Sequence, residues 1–299
     1  MSNLKFKRNE SFYIRDGWFQ KAIHSIHDSQ ENIFSGTKGV DELGIGSNMV
    51  KGLKYWLTSS NILEPSSNKS ELTIFGKLLF KYDPYIESSF SWFLIHYFLV
   101  TNYVDAPIFN MVFNLRVNRF EKTELGNALI EQLKDQGEEV KDTYVLDDLN
   151  VFLKTYTVED KDGDPEDNYI CPLSSLNLIE RKQKDSYLMK HPHYSDLSYL
   201  IVYYSLVNLY KKQFNIEDAL YEKNSPVFLF NLDKNMFLQY LDEMRKNNLI
   251  TINKTARCPP AAAPSTGGPP RSGAAVHSAR RPPPPPRWSP GTAPRSPRK

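Results

Sequence analysis

Cysteine is scarce in this chain: there are two among 299 residues, and only Cys171 precedes residue 257. One thiol in the body closes no internal disulfide and leaves no cysteine-based zinc site, which fits a reducing compartment. Long apolar runs are missing as well. The longest, Trp92 to Val100, is interrupted by His96 and falls far short of the ~20 residues a membrane-spanning helix needs. The opening MSNLKFKRNESF lacks the apolar stretch of a signal peptide. Together these absences predict a soluble, cytoplasmic protein with no membrane partner.

Acidic residues are absent from residues 257–299, a segment that holds 13 of the 20 prolines and eight basic residues. Without that segment the chain has 29 basic against 35 acidic residues, a net charge of −6. The formal +2 therefore describes no single folded object, and overall charge supports no nucleic-acid reading. The change of composition near Ala256 reads as a frameshift or read-through into foreign sequence, with a genuine basic low-complexity arm as the alternative. Either way residues 257–299 are expected to be a disordered tail. Aromatics are plentiful before it, since the whole chain has 17 Tyr, 17 Phe and 4 Trp. They supply a core for one large domain or two ordinary ones.

Apolar Phe19, Ile23 and Ile26 recur at helical spacing after Gly17. Residues 37–46 read as a short helix closed by Gly44 or Gly46. Ser47 makes an N-cap for a longer helix with Val50, Leu53 and Leu57 on one face. Residues 71–80 have strand-like or mixed character. Residues 86–102 and 106–114 look like core helices. From about Arg116 the pattern partly recurs, with helices over 123–137 and 143–156, an acidic loop at 158–168 and a long buried helix from Ser195. A strand, helix and strand follow between Ser225 and Lys254. The expected fold is mainly α with small β-wings: tandem winged helix-turn-helix-like units packed with additional helices. The expected units are 1–115, 116–256 and the tail 257–299.

Two stretches carry a resemblance. Phe6 to Lys21 (FKRNESFYIRDGWFQK) is similar to the opening signature of a bacterial family, domain of unknown function 4007. Leu43 to Val50 (LGIGSNMV), with Lys51, Tyr55 and Trp56, resembles its second signature. The Asp83-Pro84-Tyr85 turn, Trp92 to His96, Asp148 with Phe152 to Tyr156, Cys171-Pro172-Leu173 and Ser225-Pro226 continue the match over roughly residues 6–256. The chain departs from the pattern at Asn9, where members usually carry histidine, and after Thr255-Ala256. The resemblance implies a helix-turn-helix-type protein encoded near genes for DNA phosphorothioate modification and anti-phage restriction.

The helix from Ser47 is the main functional candidate. Asn48, Lys51, Tyr55 and Thr58 fall opposite its apolar side, with Lys54 flanking. Asn and Lys side chains read base edges or hold phosphates. The alternatives are a protein-docking face and a passive surface, and the net −6 body favours local or assisted DNA contact. Arg15, Lys21, Lys5, Lys7 and Arg8 make a basic N-terminal segment suited to flanking DNA. Asp147 and Asp148 would repel phosphate, so the 142–156 helix is expected to be a packing or partner surface. Gly44-Ile45-Gly46 lacks the third glycine of a dinucleotide loop and serves a turn. His24 with His27, and His191 with His193, lack converging partners for a metal. Asp160 to Pro165 misplaces the glycine of a calcium loop. Cys171 lacks a positioned base.

The resulting expectation is a noncatalytic DNA-binding accessory protein with no cofactor and no metal. Its site is Ser47, Asn48, Lys51, Lys54, Tyr55 and Arg15. Its partners are double-stranded DNA and other proteins of a defence or DNA-modification complex. The rival expectation is a winged-helix scaffold that binds only proteins.

Overall fold

The computed structural model describes residues 4–29, 31–65, 69–158 and 170–253, and the backbone of 275–278. Helix α1 (Trp18–Asp28) buries Trp18, Phe19, Ala22, Ile23 and Ile26, the face its apolar spacing selects. Helix α2 (Lys38–Leu43) stops at Gly44, whose φ of 66° is the left-handed conformation that closes a helix at little steric cost. Helix α3 (Ser47–Ser59) begins one residue earlier than the capping argument implies: Gly46 is its N-cap, and no side chain caps it.

The next segment corrects an expectation. Leu72 forms a single antiparallel bridge with Leu63, but the strand-like stretch becomes helix α4 (Ile74–Tyr82). Thr73 caps it, its hydroxyl accepting from the Gly76 amide at 3.0 Å. Phe75 and Leu79 face inward while Ile74 and Leu78 face outward. Apolar residues on both sides hide the helical period and imitate a strand. Helices α5 (Ser89–Thr101) and α6 (Pro107–Leu115) follow as expected and form the centre of the core.

Beyond residue 116 one order of elements occurs twice. After α6 come β1 (Arg119–Glu121), α7 (Lys122–Asp135), α8 (Asp142–Tyr156), a 3-10 turn (Pro172–Leu176), β2 (Ile179–Gln183) and β3 (Ser186–Met189). β3 lies between β1 and β2, with Phe120 opposite Tyr187 and Glu180 opposite Leu188. Then come α9 (Tyr199–Tyr210), β4 (Gln213–Asn215), α10 (Ile216–Ala219), α11 (Pro226–Leu229), α12 (Lys234–Lys246), β5 (Ile250–Asn253) and β6 (Ala275–Ser278). β6 again lies between the other two strands, and both sheets are antiparallel. The structure is thus mainly helical with small three-stranded sheets.

Two further expectations change here. Residues 226–229, read as strand, are helical, because Pro226 occupies the first helical position, where its fixed φ fits and its missing N–H is not needed. Residues 275–278 of the expected tail are paired as a strand. The rest of 254–299 and residues 159–169, which hold all of the expected acidic loop but Val158, lie outside the described residues. Among the described residues no helix is long and apolar enough to cross a membrane.

The core runs without a break from Ile14 to Ile250, across the boundary expected at residue 115. Asn114 is one fastening across it. Its side-chain carbonyl accepts the Asn224 amide N–H at 2.7 Å, and its Nδ2 donates to the Asn224 side chain at 2.9 Å. His96 is another, with no exposed surface. Its Nδ1 accepts from the Tyr156 hydroxyl at 2.6 Å and its Nε2 donates to the Leu229 carbonyl at 2.7 Å. That pairing needs the neutral ring, and burial lowers the His96 pKa to about 4.

The sign of the linkage is fixed by that depression. The unfolded chain takes up a proton near pH 6.5, whereas folded His96 does so only near 4. Its contribution is therefore complete above pH 6.5 and lost as the pH falls to 4, on the order of 3 kcal/mol in all. Burial raises the pKa of Asp148, which acts in the opposite sense. Urea unfolding of wild type and H96Q across this window separates the two. Wild type should lose stability more steeply on acidification, and parallel curves would refute the assignment.

Candidate nucleic-acid interface

Helices α1, α2 and α3 pack on one another, and α3 turns its apolar side, Val50, Leu53, Trp56 and Leu57, into the core. The N-terminal segment crosses its outer surface. The crossing depends on Gly52, because a Cβ there would stand 2.8 Å from the Asn9 carbonyl oxygen. The Trp56 indole N–H donates to the Phe12 carbonyl at 2.9 Å, and the Lys5 amide donates to the Val104 carbonyl at 2.8 Å. These contacts set the segment along α3 rather than free in solvent.

Between arm and helix lies a groove. Lys5 and Arg8 line it from the arm, Lys51 and Lys54 from α3, with Tyr55 and Asp105 at its base. Lys5 is paired with Asp105 at 2.6 Å. Lys51 donates to the Asn48 side-chain oxygen at 3.2 Å, and the Lys54 ammonium stands 5.8 Å from the centre of the Phe34 ring. These last two contacts leave positive charge uncompensated by a carboxylate. Four cations thus meet Glu10 and Asp105 in a chain whose body is acidic overall.

The other long helices offer a contrast. α8 buries Val145, Asp148, Leu149, Val151, Phe152, Leu153, Thr155 and Tyr156, and leaves its first turn, Asp142 to Tyr144, exposed. The burial agrees with its expected packing role. On α12 the cations carry acidic partners: Lys234 with Glu217 at 3.1 Å, Arg245 with Asp242 at 2.6 Å, Lys246 with Asp242 at 2.8 Å. Such exposed pairs are worth little to stability, but they cancel the local field a phosphate would feel.

The sequence-derived residues divide on this geometry. Ser47, Asn48 and Lys51 are exposed, and Lys54 is half-buried, lining the groove with its ammonium near the Phe34 ring. Tyr55 differs from expectation. Its hydroxyl donates to the Asp105 carbonyl at 2.8 Å, and burial, then the nearby Asp148 carboxylate, hold the phenol above its usual range. It braces α3 against the α5–α6 turn. Arg15 stands apart from the groove, its guanidinium 5.7 Å from the Phe12 ring centre and 5.6 Å from that of Trp18. Lys5 and Arg8 take its place. Their signal was the basic N-terminal segment, although Lys7 within it turns away to Asp147.

The remaining candidates keep structural roles. His27 stacks on Phe80 with ring centres 3.8 Å apart, and His24 meets the same ring edge-on. His191 bonds the Asn231 carbonyl. Cys171 is buried, which pushes its thiol up to about 12. Among the described residues no three His, Cys, Asp or Glu side chains converge on a metal-sized site.

The bracing role of Tyr55 is directly measurable. Y55F removes one partly enclosed hydrogen bond and should lower unfolding stability by about 1 kcal/mol. Unchanged stability in urea would return Tyr55 to the surface role its helical position suggests.

Two solved structures share this fold. "Magnesium ion-bound SspB crystal structure" superposes with a TM-score of 0.77 and 18% identity, covering 92% of this chain and 83% of that one. "SspB crystal structure" gives 0.73 and 17% with the same coverage. Magnesium is a property of the former protein. No curated protein matches the chain. The family model described as "Protein of unknown function (DUF4007)" matches residues 6–258, so the chain belongs to the DUF4007 family.

Proposed function

We propose that the protein binds duplex DNA through the arm–α3 groove, as a noncatalytic component of a bacterial DNA-modification or phage-defence system. The observation that carries this reading is the convergence of Lys5, Arg8, Lys51 and Lys54 on one groove of an acidic body. A field confined to one groove orients DNA without the broad attraction of a basic protein. The genomic setting implied by the family resemblance, beside phosphorothioate-modification and restriction genes, agrees with a DNA ligand. A winged-helix reading of the fold applies from α6 onward and not to α3, so it speaks to the class of protein rather than to the groove. A strand after the first helix, then helices, then two strands with the last one in the middle, is the order of such units.

In this reading Lys51 and Lys54 hold phosphates and Asn48, at the open end of α3, faces base edges. Ser47 begins the helix, where free backbone amides favour an anion. A scaffold without DNA is the second reading, favoured by an apolar outer face on α4. There Ile74, Leu78 and Tyr82 are 79%, 49% and 71% exposed.

Anisotropy titration of a labelled duplex over a range of salt decides between them. Four phosphate contacts contribute a slope of about −3.6 in log K against log salt. K51E/K54E should make that slope shallower by about 2 and weaken binding on the order of 100-fold at low salt. The basic residues of 257–299 are common to both proteins, so the difference reads the groove alone. Equal binding by wild type and variant would place the DNA contact outside the groove, and no binding by folded wild type would leave the scaffold. Supercoiled plasmid incubated with the protein and magnesium should stay supercoiled, and open circles would overturn the noncatalytic part.

A further inference from the structure

The arm bearing Lys5 and Arg8 belongs to no helix or strand, and its backbone is unusual. Lys7, Glu10 and Ser11 have φ of 60°, 51° and 64°. Residues with a Cβ enter that left-handed region in quick succession only when their surroundings enforce it. The enforcing group comes from far along the chain. Asp148 of α8 is 7% exposed and points its carboxylate into the arm. One oxygen accepts the Lys7 amide N–H at 2.9 Å and the other accepts the Asn9 side-chain amide at 2.7 Å. The Asn9 side-chain oxygen in turn accepts the Ser11 amide N–H at 2.8 Å. The Lys7 ammonium is drawn the same way, to Asp147 at 2.8 Å and the Ser11 hydroxyl at 3.2 Å.

The consequence is a sorting of charge. Lys7 is committed to α8, while Arg8 and Lys5, the latter paired with Asp105, line the groove. The dependence is mutual, because a buried carboxylate is stable only while its donors are present, and both of these donors belong to the arm. We infer that Asp148 and Asn9 are a positioning pair that seats Lys5 and Arg8 in the α3 groove for DNA phosphates. This rests on the DNA-binding reading above. Asp148 itself touches no DNA.

The inference has an unusual sign. Removing a carboxylate near a phosphate-binding groove ordinarily tightens binding. D148N should weaken it instead, because an amide offers one acceptor oxygen where the arm presents two donors. In the swap N9D/D148N the amide at position 148 donates to the carboxylate at position 9. Its oxygen still accepts from Lys7, and the carboxylate still accepts from Ser11. All three bonds return with the net charge of wild type.

The test is salt-dependent anisotropy with the same duplex and the full chain. D148N should bind on the order of tenfold more weakly at moderate salt, its slope shallower by about 1.8 for two lost contacts. The swap should restore both, and K5Q/R8Q should cost nothing further in the D148N background, since the contacts are already gone. Tighter binding by D148N, or additive losses, would overturn the inference. Trypsin cleavage after Lys7 and Arg8, followed by mass, reads the arm without DNA. It should accelerate in D148N and slow again in the swap. If wild type binds no DNA, the DNA reading fails, and trypsin still decides the clamp: equal cleavage in all three proteins sinks it.

Discussion

A histidine sealed inside an apolar core must find both an acceptor and a donor, or it costs more than it contributes. His96 finds them 60 and 133 residues away, at Tyr156 and Leu229. Around it Phe113 and Phe230 close the space, with ring centres 4.8 and 5.7 Å from the imidazole. The positions of α5, α8 and α11 are therefore tied to one side chain with two directional bonds. Apolar contact alone tolerates sliding. These bonds do not, and the neighbouring helices inherit the alignment.

That alignment decides what α8 can do. With Tyr156 anchored to His96 and Asp148 on the same helix turned to the arm, α8 is enclosed along most of its length. The helix acts as a strut between the core and the arm. Two of its carboxylates are turned to the arm: Asp147 pairs with the Lys7 ammonium, and Asp148 accepts from the Lys7 amide and the Asn9 side chain. The basic groove sits on the N-terminal helices, while the fastening that shapes it comes from the second half of the chain.

The electrostatics make sense only locally. A net charge of −6 before the tail would keep DNA at a distance were it spread evenly. Carboxylates on α12 neutralise their own cations, whereas Lys51 and Lys54 meet an amide and an aromatic ring. Within the Debye length of about 8 Å at physiological salt, this local arrangement rather than the net charge sets the field at the groove.

Much of the helical framework was legible in the chain. The spacing of Phe19, Ile23 and Ile26, the glycine that closes α2 and the apolar stretch of α5 each act through neighbours three or four residues away. Local pattern is enough for such elements. It failed where local signals conflict, at 71–80 with apolar residues on two faces and at 226–229 where a proline opens a helix. The cations of α3 were readable because helical period alone separates Lys51 from Leu53. That Tyr55 braces rather than reads, that Arg15 lies on two aromatic rings, and that Arg8 faces the groove while Lys7 faces away were not. Those outcomes turn on Asp105, Phe12, Trp18 and Asp148, groups that no periodicity connects. Sequence determined which faces of each helix are apolar or charged; only tertiary packing, by burying one carboxylate beneath the arm, decided which charges were left to act.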